Sequence, residues 1–311
     1  AIVFPTIVSD IGFGPGGSQG AVLVFHAAAD GSLNLVYNPE IYGQPAPLKV
    51  DDLNDDDRLE IAWSVESCSI SCVLEVQMVS WTGEGYTTTI EPGAAIAEGT
   101  AAFAPVGPTD PGRGQELLLE GGVSKAPEGG LAVPHTERWQ SADGGKFRRI
   151  DWRYDRESEG SDCLGLRLVE ADIALQAADV LGYAPAIERY TNALTEPLNA
   201  CSIIGMTQED ELVLLQGLAS FRLVQALALS GDGAAAQSAL DGLVQGQPEG
   251  PYTGAAQQWL EAYAANGDPL AACDAIQSIF DENDELWLIT DQFGFNHPAL
   301  AAEQLCYRPP Q

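Results

Sequence analysis

Apolar and polar positions keep two different rhythms along the chain. Through the first half, short runs alternate residue by residue and are broken by Gly-containing turns, the pattern of β-hairpins. Three such units can be laid over one another: residues 22–26 with 33–37 around Asp30-Gly31, residues 75–81 with 86–90 around Gly83, and residues 135–139 with 147–150 around Asp143-Gly144-Gly145. Their spacing of roughly 50–60 residues belongs to repeat architectures such as propeller blades. In the second half apolar residues recur at steps of three and four, which predicts helices over 164–178, 184–194, 210–229, 234–244, 252–265 and 269–280. Breaks at residues 231–233, 246–248 and 266–268 pair them into three helical hairpins, and Pro269 stands where a first-turn proline belongs. The tail, 286–311, carries a short apolar run and one expected helix over 298–305, read as a cap on the last hairpin stapled by Cys306. The rhythm changes across the charged run DRESEGSD, between Tyr154 and Leu164. The expected fold class is α+β by domain: a β domain of about three blade-like units over 1–156 and an α-helical hairpin array over 157–311.

Composition narrows the classes of function. Hydrophobic residues make up 45% of the 311 residues, enough for a packed core. The 45 acidic residues against 14 basic ones give a net charge of -31, which repels phosphates and anionic lipid heads and favours cations, basic partners or neutral ligands. No nucleic-acid partner is expected. No stretch reads as the roughly 20 consecutive apolar residues of a membrane helix, so no membrane insertion is expected either. The first residue is Ala1, which fits a processed secretory product and equally a trimmed chain.

The six cysteines, Cys68, Cys72, Cys163, Cys201, Cys273 and Cys306, point to an oxidising compartment. The C-x3-C pair at 68 and 72 has no nearby His and no second pair, so zinc is a poor reading. The count leaves many pairings open; proximity and repeat layout favour 68–72, 163–201 and 273–306. The alternative is buried free thiols in a cytosolic protein.

One segment carries candidate chemistry. Residues 51–57 hold five aspartates in seven positions, and Asp52, Asn54, Asp56, Arg58 and Glu60 stand at alternate positions. Four of them offer side-chain oxygens and Arg58 its backbone carbonyl, a set suited to calcium, which takes roughly six to eight oxygen ligands. A strand at Ile61-Ala62-Trp63 follows, where an EF-hand would place a helix. The bland alternative is a solvated acidic turn, in which the aspartates repel one another without a counter-ion. A related loop runs from Pro108 and keeps only Asp110 and Glu116, with Gly112 and Arg113 between; it is expected to have lost the metal and kept the turn.

The run Asp52-Leu-Asn54-Asp-Asp56-Asp-Arg58-Leu-Glu60-Ile61 resembles the D-x-N-G-D-G-x-x-[DE]-[IL] loop of FG-GAP or VCBS-type repeats, and Trp81-Thr-Gly83-x-x-Tyr86 resembles their W-[DN]-G-x-x-[YF] hairpin. The likeness covers residues 20–152 and departs where Asp55 and Asp57 replace two glycines; Asp tolerates the left-handed backbone better than most residues. It implies propeller-like blades, open or incomplete because three units fall short of the roughly 4 to 8 of a closed propeller. Ala186-x3-Tyr190-x2-Ala193-x3-Pro197 and Gly267-Asp268 resemble tetratricopeptide-type repeats, although the Trp and Gly of a standard first helix are absent. The two halves together are similar to a family of secreted bacterial proteins, which implies architecture and no enzymatic activity.

Other motifs weigh less. Gly16-x-Ser18-x-Gly20 and Gly12-x-Gly14-x-x-Gly17 match nucleophile and phosphate-loop patterns, but a strand is expected after them in place of the required helix. His26, His135 and His297 are far apart and read as structural, and the tryptophans Trp63, Trp81, Trp139 and Trp152 read first as core and second as a sugar or peptide groove. The expectation is a secreted or cell-surface bacterial protein, non-enzymatic, with Ca2+ as its bound ion. Its partner is a protein or another copy of itself, and carbohydrate is a further possibility. The rivals are a structural subunit of an extracellular assembly and a secreted hydrolase with structural calcium, for which no compact catalytic constellation is visible.

Overall fold

The computed structural model describes residues 2–10, 18–107, 114–126, 129–141, 144–202, 205–284, 286, 289–290, 293–294 and 296–309. The chain divides into two compact units, Ala1–Pro127 with Pro134–Arg149, and Glu128–Val133 with Ile150–Gln311. The content is α+β, with three antiparallel sheets, none of them closed, and seven helices among the described residues.

Each sheet of the first unit follows chain order. Strands β1 (Ile2–Asp10), β2 (Ser18–Ala27) and β3 (Leu33–Tyr37) form one, with β4 (Glu40–Tyr42) also on β2. The next orders β5 (Gln44–Asp51), β6 (Glu60–Cys68), β7 (Cys72–Trp81) and β8 (Tyr86–Thr88), with β9 (Ala95–Ala97) on β7. The third orders β10 (Thr100–Pro105), β11 (Gln115–Gly121), β12 (His135–Ser141) and β13 (Phe147–Tyr154), the last running across the boundary between units. The three expected hairpins are β2–β3, β7–β8 and β12–β13. Pro45 and Pro47 lie in β5, an edge strand, where a missing N–H costs no ladder bond.

The second sheet is a middle layer. In β6, Glu60 through Val65 are all buried, and successive side chains enter different cores. Ile61, Trp63 and Val65 pack with Val22, Val24 and Ile41 of the first sheet. Ala62 packs with Leu117, Leu119, Trp139 and Phe147 of the third. On β7, Val79 joins the former cluster and Val76 and Met78 the latter.

In the second unit, α1 (Leu164–Gln176), α3 (Ala184–Thr195), α4 (Gln208–Leu229), α5 (Gly233–Gly246), α6 (Pro251–Asn266) and α7 (Pro269–Asp281) are the six expected helices, and α2 (Ala178–Leu181) is a four-residue addition. Thr207, Asp232 and Asp268 cap α4, α5 and α7 by accepting backbone N–H bonds, and prolines open α6 and α7. Tyr190, Phe221, Tyr252, Trp259 and Phe280 are fully buried in one core. The disulfides are Cys68–Cys72, Cys163–Cys201 and Cys273–Cys306, the pairing that sequence proximity favours. Three disulfides are the mark of an oxidising environment.

Two expectations are corrected. The tail helix is only a three-residue 3-10 turn, Ala302–Gln304; the segment before it is held instead by Thr290, whose Oγ1 accepts the Leu300 N–H at 2.9 Å and donates to the Leu300 carbonyl at 3.2 Å. And α4, at 22 residues, is long and apolar enough to cross a membrane, with mean hydropathy 1.7 over its best window. It packs as a core helix, that window being 56% buried. Its interior face carries Arg222, which pairs with buried Asp172 at 3.4 Å and donates to the Gln304 carbonyl at 2.6 Å, and Gln225, which receives the Tyr307 N–H at 3.2 Å. These bonds and Cys273–Cys306 seat the tail on α4 and α7.

Arg222→Met leaves Asp172 buried without its cation and should cost about 3–5 kcal/mol in urea denaturation; a loss under about 1 kcal/mol would show the pair to be incidental. Alkylation without reduction should add no mass to the intact chain, and alkylation after reduction should label all six cysteines.

Candidate metal centre

The acidic loop joins β5 to β6, with Asp51 opposite Glu60 at the base of the hairpin. Leu53, fully buried, plugs it into the core shared with the third sheet; its N–H donates to Glu60 Oε2 at 2.8 Å and its carbonyl accepts from Gln115 N at 2.9 Å. The loop then winds on its own carboxylates. Asp52 accepts the N–H of Asp56 at 3.1 Å and of Asp57 at 2.9 Å, and Asp56 accepts that of Arg58 at 2.9 Å. Such Asx bonds favour tight turns. Asp55 and Asp57 sit at φ 61° and 65°, in the left-handed region where the resembled motif carries glycine.

This winding brings one carboxylate oxygen each of Asp52, Asp56 and Glu60 within 4.8 Å of one another. Like charges that close repel by roughly 3–4 kcal/mol per pair at an effective dielectric near 20, before solvent screens the two half-buried members. Glu60 is 0% exposed, and its carboxyl is pushed above the ordinary value, first by burial and then by the charges of Asp56 and Asp52. The Leu53 N–H and the Ser80 hydroxyl oppose that shift. Asn54 is 1% exposed; its amide donates to the Gly144 carbonyl at 3.1 Å, leaving Oδ1 buried without a partner, as is Glu60 Oε1. Arg58 is exposed and enters through its N–H.

Four other buried carboxylates, each paired with an arginine, show what is unusual here. Glu137 has Arg149 at 2.6 Å, Asp151 has Arg189 at 2.5 Å, Glu170 has Arg156 at 2.5 Å and Asp172 has Arg222 at 3.4 Å. Glu116, which aligns with Glu60, has Arg138 at 2.7 Å. Among the described residues no basic side chain pairs with Glu60, Asp52 or Asp56. A buried carboxylate group in this state is suited to a hard cation from outside, with Asp52, Asp56, Glu60 and Asn54 Oδ1 as oxygen donors.

Sequence reading missed the clasp around the loop. Gly114, at φ +72°, lies so close that a Cβ there would stand 2.3 Å from the Leu53 carbonyl oxygen. Gly144, at φ +74°, would place one 3.2 Å from Asp56 Cβ. The repeated Gly at 144 and 145 was the available signal. A second cluster, Glu66 with Cys68 and Cys72, is closed to metal by the disulfide.

The remaining candidates are placed as follows. Asp110, Gly112 and Arg113 of the second loop and residues 12–17 lie outside the described residues. Ser18 opens β2, a strand. His26 Nε2 meets Tyr86 Oη at 2.9 Å, His135 lies 3.4 Å from Glu137, and His297 bonds Tyr154 Oη and the Leu131 carbonyl at 2.8 Å each. Trp63, Trp139 and Trp152 are core, at 2–3% exposure, and Trp81 is half-buried.

No family model matches the chain, and neither does any curated protein or solved structure.

Because Asp55 and Asp57 hold left-handed backbone, Asp55→Gly and Asp57→Gly should be neutral or stabilising, and the alanine variants should lose about 1 kcal/mol each in denaturant titrations with chelator present. Equal losses for glycine and alanine would show that the side chains, and not the backbone, hold the turn.

Proposed function

We propose that this chain is a non-enzymatic, extracellular calcium-binding protein of bacterial type, in which the ion locks a stack of blade-like sheets and the helical unit offers a surface to a protein partner. The observation that carries the reading is the carboxylate group at Asp52, Asp56 and Glu60, which has no basic partner among the described residues, together with the left-handed backbone of Asp55 and Asp57, where the resembled loop carries glycine. The oxygens are hard donors, as calcium prefers. Asp52, Asn54, Asp56 and Glu60 would hold the ion, which supplies the positive charge that Arg138 supplies to Glu116. The loop touches Gly114, Gln115 and Gly144, so an ion there would fasten the second sheet to the third. Secretion is supported by the three disulfides. In the helical unit the contacts of α1 with α3, α4 with α5 and α6 with α7, and the Ala186, Tyr190, Ala193 pattern, all three buried, support a tetratricopeptide-like array.

A second reading, self-assembly, is favoured by one observation. The edge strand β3 exposes Leu33 and Leu35 at 49% and 50%, a template for pairing with another copy. Sedimentation velocity at rising concentration tests it: growth abolished by Leu35→Lys favours assembly, and a constant monomer removes that reading.

Calcium at about a hundredfold excess over its Kd should stabilise the protein by about 2.7 kcal/mol. Thermal melts should rise by several degrees with calcium and return with chelator. Glu60→Gln and Asp52→Asn should abolish the rise, and Glu84→Gln, an exposed acid elsewhere, should keep it. Identical melting curves with millimolar calcium and with chelator would falsify the calcium reading.

A further inference from the structure

The first unit also carries a cleft of about 300 Å³, near the lower end of small-ligand sites. Tyr37, Trp63, Glu75, Gln77, Thr88 and Glu91 give it its chemistry, and among the described residues no Lys, Arg or His lines it. Tyr37 is half-buried, its ring 6.3 Å from that of Trp63 and 5.2 Å from that of Tyr86, which fix its orientation. Trp63 is 2% exposed and backs the cleft wall, its indole Nε1 buried beneath the surface. Gln77, half-buried, is the cross-strand partner of Trp63. Glu75, Thr88 and Glu91 stand exposed at the rim.

These groups select the ligand by elimination. Glu75 and Glu91, in a chain of net charge -31, repel an anion. An ammonium group has donors only, so it answers the carboxylates and leaves the Gln77 amide N–H unmet. A purely apolar ligand leaves both unmet. A hydroxyl both donates and accepts, and a ring bearing adjacent hydroxyls and a C–H face can use the carboxylates, both ends of the Gln77 amide and the Tyr37 ring together. We propose that this cleft binds a neutral sugar residue. The inference does not rest on the calcium reading, although β6 carries both Glu60 and Trp63.

The test is tryptophan fluorescence of the full chain titrated with glucose, galactose, mannose, N-acetylglucosamine and N-acetylgalactosamine, with calcium and with chelator. At least one sugar should give a saturable change at millimolar concentration in one calcium state or both. Gln77→Ala and Tyr37→Ala should weaken it about tenfold, the size expected for losing one good contact. Gln77→Ala also guards against misfolding, since its melting temperature should match the parent. Tetramethylammonium and sulfate should give no saturable change. The proposal is overturned if no sugar responds in either calcium state, if both variants respond like the parent, or if tetramethylammonium binds more tightly than every sugar. The calcium-dependent melt reports on the metal reading separately, whichever way the sugar titration falls.

Discussion

A carboxylate taken out of water needs a positive partner, and the first unit holds one, Glu60, that has none among the described residues. Glu60 opens the central strand of the middle sheet, is fully buried, and bonds the Leu53 N–H that seats the loop in the core. Moving it outward would unseat Leu53. Protonating it would relieve the charge and weaken its hold on that N–H. The loop instead folds Asp52 and Asp56 toward it, against their mutual repulsion. Satisfied backbone donors offset part of that cost, since Asp52 and Asp56 accept three N–H groups of the turn. None of these bonds neutralises charge.

The position of the loop makes its state matter to the whole unit. Alternate residues of β6 feed two cores, so β6 is shared by all three sheets. The loop that precedes it is clasped by turns of the third sheet through Gly114, Gln115 and Gly144. A change in loop geometry therefore reaches both faces of the middle layer at once. The Leu53 side chain, packed with Leu117 and Trp139 in the same cluster, is the mechanical link.

Much of this was legible in the sequence because local rules decide it. The hairpins β2–β3, β7–β8 and β12–β13 carry both the period-two pattern and a Gly turn, and the helices α4 to α6 carry their stop residues. What was hidden depends on distant partners. The strand β5 is masked by Pro45 and Pro47, which only its edge position makes tolerable. The apolar length of α4 is read correctly only when Asp172 and the tail are seen against Arg222 and Gln225. The segment near Pro298, expected as a helix, is tied by Leu300 to the distant Thr290, a contact no local pattern announces. At the site, the alternating Asp52, Asn54, Asp56 and Glu60 were visible as a pattern. The role of Leu53 was not, and neither was the Gly144 clasp, which comes from 90 residues along the chain.

The two related loops solve one electrostatic problem in different ways. At Glu116 the countercharge is built in, because Arg138 comes from the neighbouring strand and is present whenever the sheet is folded. At Glu60 the chain places two further carboxylates where a cation would serve. A built-in arginine makes stability independent of the medium. A carboxylate group that gathers around an external ion makes it conditional, and the condition is met where divalent cations are abundant. On the calcium reading the middle sheet is therefore held firmly only in such surroundings, while the disulfide-bonded helical core, whose buried Asp151, Glu170 and Asp172 each have an arginine, stays folded without the ion. The contrast is local to this one loop, since Glu116 and Glu137 of the same unit have Arg138 at 2.7 Å and Arg149 at 2.6 Å.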